Sequence, residues 1–463
     1  MLPDVCLLEI FDFYVSQAQE EDDDEGWPKV QAWHTLVHVC RKWRTVVLGS
    51  PRRLDLRLFC TDTTPVKETL AAWPPLPIVI GQYGPQTQTD NIIMALKHID
   101  RICQIKLLDV TNSQLEEVLP AMQQPFLVLT DLAILLDDQW EWENETPPVV
   151  SESFLGGSAP CLQCLQFEHI PFPGLPKLLL AATGLISLCI SQVPHSGYIS
   201  PEAIVGCLST LTRLEELKIG FESPLSRPVR DTRHPHPLTR SALPSLTYFR
   251  FKGVSEYLED LVARIDAPLL DSLHITFFHR LIFDTPQLAQ FIARTPNIRP
   301  PIEARINFSD HVVEVASPRT YPRNLELGVS CRQSDWQLSS LIEVCSSSFP
   351  EAFIRTVEHL YICEEFSEPH SQDDIEDSQW LEILRPFTAA KYLYVDRGFV
   401  SGIAPALQEL TGEVLPSLQN LFLRDLHVPG SVQGAIEQFV TARQHASHPV
   451  AVSHWDRKQD EWY

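Results

Sequence analysis

Glycine is scarce in this 463-residue chain, with 18 residues against 37 prolines. So little permissive backbone leaves few places that could approach a phosphate closely, and no phosphate-binding glycine loop, dinucleotide fingerprint or serine elbow occurs. Basic residues are also in deficit. Thirty-six lysines and arginines face sixty acidic residues, a formal charge of −24 that repels phosphate backbones and disfavours nucleic acid as a partner. The eleven cysteines, an odd number, lack a framework spacing; they read as small hydrophobes in a reducing compartment, cytoplasm or nucleus. The N-terminus has no basic stretch, and Asp4, Glu9 and Asp12 interrupt what would be a signal core. The longest apolar run, LLLAATGLISLCI from Leu178, falls short of the roughly 18 residues that span a bilayer. A soluble protein without a membrane partner is expected.

Metal and nucleophile patterns are thin as well. Cys161 and Cys164 make one C-x-x-C with no second pair, and a packing role is expected over zinc. His234 and His236 sit in a proline-rich stretch without zinc-protease spacing. No cofactor and no metal is expected.

What is present is a core-forming composition, 44% hydrophobic, in a chain long enough for two domains or one repeat array. Many prolines precede one recurring phrase, as in APCLQCLQF, LPSLTYFRF, APLLDSLHI and LPSLQNLFL. It fits L-x-x-L-x-L at Leu162, Leu165, Phe167; Leu185, Leu188, Ile190; Leu214, Leu217, Ile219; Leu246, Phe249, Phe251; Leu270, Leu273, Ile275; and Leu418, Leu421, Leu423. Looser copies run through Ile102, Ile105, Leu107; Leu129, Leu132, Ile134; Val357, Leu360, Ile362; and Ala390, Leu393, Val395. Proline disfavours the helical region for the residue before it and stops a helix where a strand is to begin.

Between the phrases, TDNIIMALKHI, YLEDLVARI, QLAQFIART, DWQLSSLIEVC and QWLEILRPF space apolar residues at i, i+3 or i+4, and i+7. Strands alternating with helices predict parallel crossovers. The phrase narrows this to an irregular leucine-rich-repeat solenoid of the α/β class, with strand-to-strand steps of roughly 23 to 33 residues; an ordinary doubly wound α/β domain is the alternative. Asparagine would be expected three positions after the last leucine, but Ile170, Val193 and Glu222 stand there, predicting a curvature unlike a regular horseshoe.

The first fifty residues read differently. Leu7, Ile10, Phe11 and Tyr14 recur at helical spacing after Pro3. A second helix, VQAWHTLVHVCRKWRTVV, carries Trp33, Leu36, Val37, Cys40, Trp43 and Val47 on one side. So small a segment cannot hide that much apolar surface alone. The pattern of Leu2, Pro3, Leu7, Ile10 and Phe11, followed by Val39, Cys40, Arg41, Trp43 and Arg44, resembles the F-box. With the repeats downstream, the chain resembles a fungal F-box protein of the leucine-rich-repeat type.

That resemblance implies a three-helix module over residues 1–50, with an acidic insertion at about 16–29, followed by a repeat solenoid over 51–463. The module would dock through Leu2, Pro3, Leu7, Ile10, Phe11, Val37, Cys40 and Trp43 on a Skp-type adaptor and, through it, on a cullin ubiquitin ligase. The repeats would hold a protein substrate of unknown identity. The chain would then be a non-catalytic substrate-recognition subunit of an SCF-type ligase. Two readings stand beside this one: a leucine-rich binding scaffold that never meets the ligase, its first helix simply capping the first repeat, and, with least support, an enzyme on an α/β fold.

In L-x-x-L-x-L strands the leucines point inward, so the intervening residues line the open face of the sheet. These include Lys106, Cys164, Gln166, Glu216, Lys218, Lys252, His359 and Asn420, and, as candidate substrate contacts, Tyr248, Arg250, His274, Tyr361, Tyr392, Tyr394, Phe422 and Arg424. Aromatic residues and arginine are the types that anchor interfaces. Tyr361, Tyr392, Tyr394 and Phe422 form the expected recognition patch, unless the C-terminal tail lies over them. GAIEQFVTARQHA reads as a last helix and HPVAVSHW as a closing strand.

Overall fold

Each L-x-x-L-x-L phrase becomes a strand whose three signature positions are buried. The computed structural model describes residues 2–20, 32–83, 89–137, 146–226, 240–278, 285–309, 312–317, 324–330, 341–342, 351–364, 377–409, 414–424 and 430–455. The acidic run beyond Glu20, His234, His236 and most of DWQLSSLIEVC lie outside the described residues. The chain is mixed α/β and divides into two compact units, Met1–Leu185 and Ile186–Tyr463.

The first unit opens with three helices, α1 (Asp4–Glu20), α2 (Ala32–Val39) and α3 (Arg41–Leu48). The single second helix expected from VQAWHTLVHVCRKWRTVV is broken at Cys40. That residue is extended (φ −161°) and caps α3, its Sγ accepting the Trp43 amide at 3.4 Å. The core of the three is Leu7, Phe11, Val15, Trp33, Leu36, Val37, Val46 and Val47, with the Phe11 and Trp43 rings 4.8 Å apart. The module is anchored on the residues that follow it. Trp33 Nε1 donates to the Arg57 carbonyl at 3.2 Å, its ring meets Trp73 edge-on at 5.1 Å, and His34 stacks on Trp73 at 4.7 Å. Burial, and then the charge of His38, push the His34 ring down to about 4, so it is neutral at physiological pH.

Strands β1 (Leu58–Thr61), β2 (Ile78–Tyr83), β3 (Ile102–Val110), β4 (Asp131–Leu136) and β5 (Cys164–Glu168) pair in that order, all parallel. Helices Val66–Ala72, Asp90–Leu96 and Asn112–Val118 return the chain between them. The last starts in a capping box in which Thr111 and Gln114 satisfy each other's amides at 2.9 and 3.3 Å.

The second unit carries β6 (Ser187–Val193), β7 (Glu216–Phe221), β8 (Ser241–Ala242), β9 (Tyr248–Gly253), β10 (Ile265–Asp266), β11 (Ser272–Phe277), β12 (Glu303–Phe308), β13 (Val312–Ala316), β14 (Asn324–Ser330), β15 (His359–Glu364), β16 (Tyr392–Val395), β17 (Asn420–Leu423) and β18 (Ala451–His454). The main-sheet order is β6-β7-β9-β11-β14-β13-β12-β15-β16-β17-β18; β8 and β10 form a separate two-stranded pair. The chain leaves β11, skips two places to β12, and folds back through β13, antiparallel to both its neighbours, to β14, which lies parallel to β11, before continuing. This reversal departs from the uniformly parallel array expected. Its strands alternate apolar and polar residues as the repeats do, with Ala304, Ile306, Phe308, Val313, Val315, Leu325, Leu327 and Val329 buried.

Neighbouring turns are tied by one recurring contact at the strand entry, where a carbonyl accepts two successive amides of the next strand. Ile186 O accepts from Glu215 and Glu216, Glu215 O from Thr247 and Tyr248, and Thr247 O from Asp271 and Ser272. Ile302, Glu358 and Lys391 do the same for β15, β16 and β17. Arginines add to this. Arg101 donates to Leu76 O, Arg294 to Val262 O and Ile265 O, and Arg443 to the carbonyls of Leu415, Pro416 and Leu418.

The missing asparagines have a structural counterpart. Asp109, His169 and Gln192, each two residues past the last signature position, adopt left-handed backbone (φ 53°, 58° and 49°). That turn drives the next residue, Val110, Ile170 or Val193, into the core. Apolar packing stands at these turns in place of a polar ladder.

Candidate binding faces

Helix α1 has two apolar sides. At roughly 100° per residue, Leu7, Phe11 and Val15 fall within about 80° of one another and face the three-helix core, whereas Val5, Ile10 and Phe13 spread around the rest of the helix surface, 64%, 50% and 71% exposed. Leu2, Tyr14 and Val39 are also exposed. Pro3 and Cys40 are exposed and Trp43 is half-buried. Among the expected docking residues, Leu7, Phe11 and Val37 are therefore reassigned: they are buried in the module and hold its helices together. Helical spacing groups Leu7, Ile10, Phe11 and Tyr14 but cannot say which of them a neighbouring helix covers. Val5 and Phe13, absent from the expected set, belong to the outward face. A count of apolar residues around the helix, rather than along one stripe, carries that signal. The charged rim is partly engaged, Lys42 with Asp4 at 3.1 Å and Arg53 with Glu9.

On the sheet of the second unit, the residue between the last two signature positions forms a row set by the register. Its members are Cys189, Lys218, Arg250, His274, Glu326, Ala316, Arg305, Tyr361, Tyr394 and Phe422, ending at Ser453. One half of the row is polar. Glu216 bonds Ser187 and Lys218, both at 2.6 Å. Lys218 Nζ lies 5.3 Å from the Tyr248 ring centroid, Tyr248 lies 5.1 Å from the His274 ring, and His274 Nδ1 lies 2.8 Å from Glu326 Oε2. Burial works against the Glu326 carboxylate. The bond and charge of His274, a bond to Glu314 and the charge of Arg250 outweigh it and hold its pKa below the usual value.

The other half is aromatic. Tyr361 and Tyr394 stack at 4.2 Å and 10°, Tyr394 and Phe422 at 4.6 Å and 7°. In-register residues on adjacent parallel strands stand one strand spacing apart, about 4.8 Å, which imposes this stack. Arg305 lies over Tyr361 at 5.2 Å, and His359 stacks on Tyr392 at 4.4 Å.

The structure thus gathers Tyr248, Arg250 and His274 in one place and Tyr361, Tyr392, Tyr394 and Phe422 in another. The inserted strands β14, β13 and β12 separate His274 from Tyr361 by four strand spacings, roughly 19 Å. Arg424 is engaged in an ion pair with Asp396 at 3.0 Å. Tyr361 is buried, because Trp455 packs on it at 5.9 Å and on Tyr394 at 5.5 Å. Glu326, Arg305 and Trp455, absent from the expected contacts, belong to this face. The first two lie outside any L-x-x-L-x-L phrase, though their strands alternate.

Among the described residues, no group of three or more histidines, cysteines or acids is placed to hold a metal ion, and no helix is long and apolar enough to cross a membrane. No known protein-family profile matches the chain, and no curated protein matches it. Among solved structures, the leucine-rich repeat-containing protein LegL7 from Legionella pneumophila is similar, with a TM-score of 0.26 and 11% identity, over 83% of this chain and 97% of that one.

Proposed function

We propose that this chain is the substrate-recognition subunit of an SCF-type cullin ubiquitin ligase in the cytoplasm or nucleus. Its F-box-like module docks a Skp-type adaptor, and the open face of its leucine-rich repeats binds a protein substrate. The observation that carries this reading is helix α1, whose Leu7, Phe11 and Val15 close a three-helix core while Val5, Ile10 and Phe13 are turned to solvent around the rest of its surface. Large apolar residues left exposed close together mark an interaction site. The half-exposed aromatic and charged row on the sheet supplies the residue types that anchor a second partner.

A scaffold that never meets the ligase is the second reading. It is favoured by the Trp33 and His34 contacts with Trp73, which pack the second helix against the end of the helix Val66–Ala72 in their own unit. Gel filtration with a purified Skp-type adaptor separates the two. A stoichiometric complex that is lost in Ile10→Asp/Phe13→Asp, with the melting temperature unchanged, supports the ligase reading. An unmodified chain that elutes alone leaves the scaffold.

A further inference from the structure

Among the described residues, strand β18 is held by its backbone more than by its side chains. Of its four residues three are exposed and one half-buried, so its side chains contribute little burial. What fixes it is a backbone ladder to β17, with Ala451 N–H donating to Gln419 O at 2.9 Å and Trp455 N–H to Leu423 O at 2.8 Å, and an apolar anchor at each end. Val450 is buried at one end and Trp455 at the other. The indole meets Tyr361 at 54° and Tyr394 at 64°, the inclined ring geometry that aromatic pairs favour.

The preceding helix is fixed independently of the strand. Phe439 and Arg443 of Gly430–His445 are buried, and Arg443 donates to three carbonyls of the Leu415–Leu418 turn. Ser447, with φ 62°, turns the chain between helix and strand. The strand can therefore leave while the helix stays.

Main-chain pairing with side-chain selection at a few buried anchors, here Val450 and Trp455, is the format of strand addition, in which an extended peptide joins an exposed sheet edge. We propose that Tyr361, Tyr394 and Phe422 form a peptide-binding platform that the chain's own β18 and Trp455 occupy in place of a ligand. The ligand is an extended segment of a protein partner that carries an aromatic side chain, pairs parallel to Asn420–Leu423 and displaces the strap. This deepens the reading of the open face as a substrate site and rests on it. Its test involves neither adaptor nor ligase, so the two fail separately.

The probe is a fluorescent peptide with the sequence of residues 448–455, HPVAVSHW. A chain ending at Pro449 is expected to bind it, the full chain at least about tenfold more weakly, and the same peptide with alanine for tryptophan about tenfold more weakly than the parent. A folded truncated chain that ignores the peptide overturns the proposal. Should the truncation unfold, Trp455→Ala in the full chain takes its place, with the same gain expected and its absence equally fatal. Hydrogen exchange on the unmodified full chain gives a readout without mutation. Amides of Val450–Trp455 are expected to exchange at least about tenfold faster than those of Tyr392–Val395; equal protection overturns the proposal. A full-chain dimer that Trp455→Ala dissolves would make a second copy's tail the occupant and overturn the partner assignment.

Discussion

Arg424 Nη1 lies 3.0 Å from Asp396 Oδ1, and the two side chains stand in opposite surroundings: the arginine is 48% exposed, the aspartate 1%. The other carboxylate oxygen of Asp396 accepts the Glu364 amide at 2.9 Å, so one buried acid ties the ends of β15, β16 and β17 together. Asp396→Ala is expected to cost about 2–4 kcal/mol, because it strips a charge-assisted acceptor from a half-buried amide and a partner from the arginine. Arg424→Ala leaves the acid buried without this ion-pair partner and should also lower the urea midpoint. A loss of partner binding in Arg424→Ala must therefore be read against its stability.

Glu326 makes the stability of the sheet depend on acid. Its folded pKa lies below the ordinary value, so its contribution is complete above the unfolded value of about 4.3 and is lost as pH falls through the folded one. Glu326→Gln should be less stable than the parent at about pH 7, and the gap should close towards about pH 3. Urea titrations across that range check it; a gap that widens in acid would reverse the sign.

In α1, position decides consequence. Leu7→Ala and Phe11→Ala remove fully buried side chains and should cost about 2–5 kcal/mol, weakening any adaptor complex through loss of the module itself. Ile10→Asp and Phe13→Asp change an exposed surface and should stay within about 0.5 kcal/mol of the parent. Thermal melts on the four variants give the comparison.

The left-handed turns offer a cleaner backbone test. Gln192→Val places a β-branched residue at φ 49° and should cost about 1–2 kcal/mol, while Gln192→Gly should lie near zero. Val193→Asn, which installs the residue a regular repeat would carry, should cost about 1–3 kcal/mol. It buries an amide where the turn is built for an aliphatic side chain. A stabilised Val193→Asn would show that the polar ladder is recoverable.

The strands were legible because their signal is local. Leu246, Phe249 and Phe251 lie within six residues of one another, and the period of two assigns their faces without reference to the rest of the chain. The helices Asp90–Leu96, Ser255–Val262, Pro286–Arg294 and Asp377–Leu384 were legible for the same reason. The rows EARINF and NLELGVS carry that alternation too, yet nothing in them says that β14 rather than β12 lies beside β11. Strand neighbourhood is a pairing between residues tens of positions apart, and a period of two is the same for either partner.

Composition, the repeating phrase and the proline stops were enough for an α/β chain of stacked strand and helix units with its leucines inside. Which apolar residues of α1 stay outside, where the strand order reverses, and that Trp455 lies across Tyr361 and Tyr394 were decided by tertiary packing. Local pattern sets which face of an element is greasy. Only the assembled neighbours settle which greasy face is already covered.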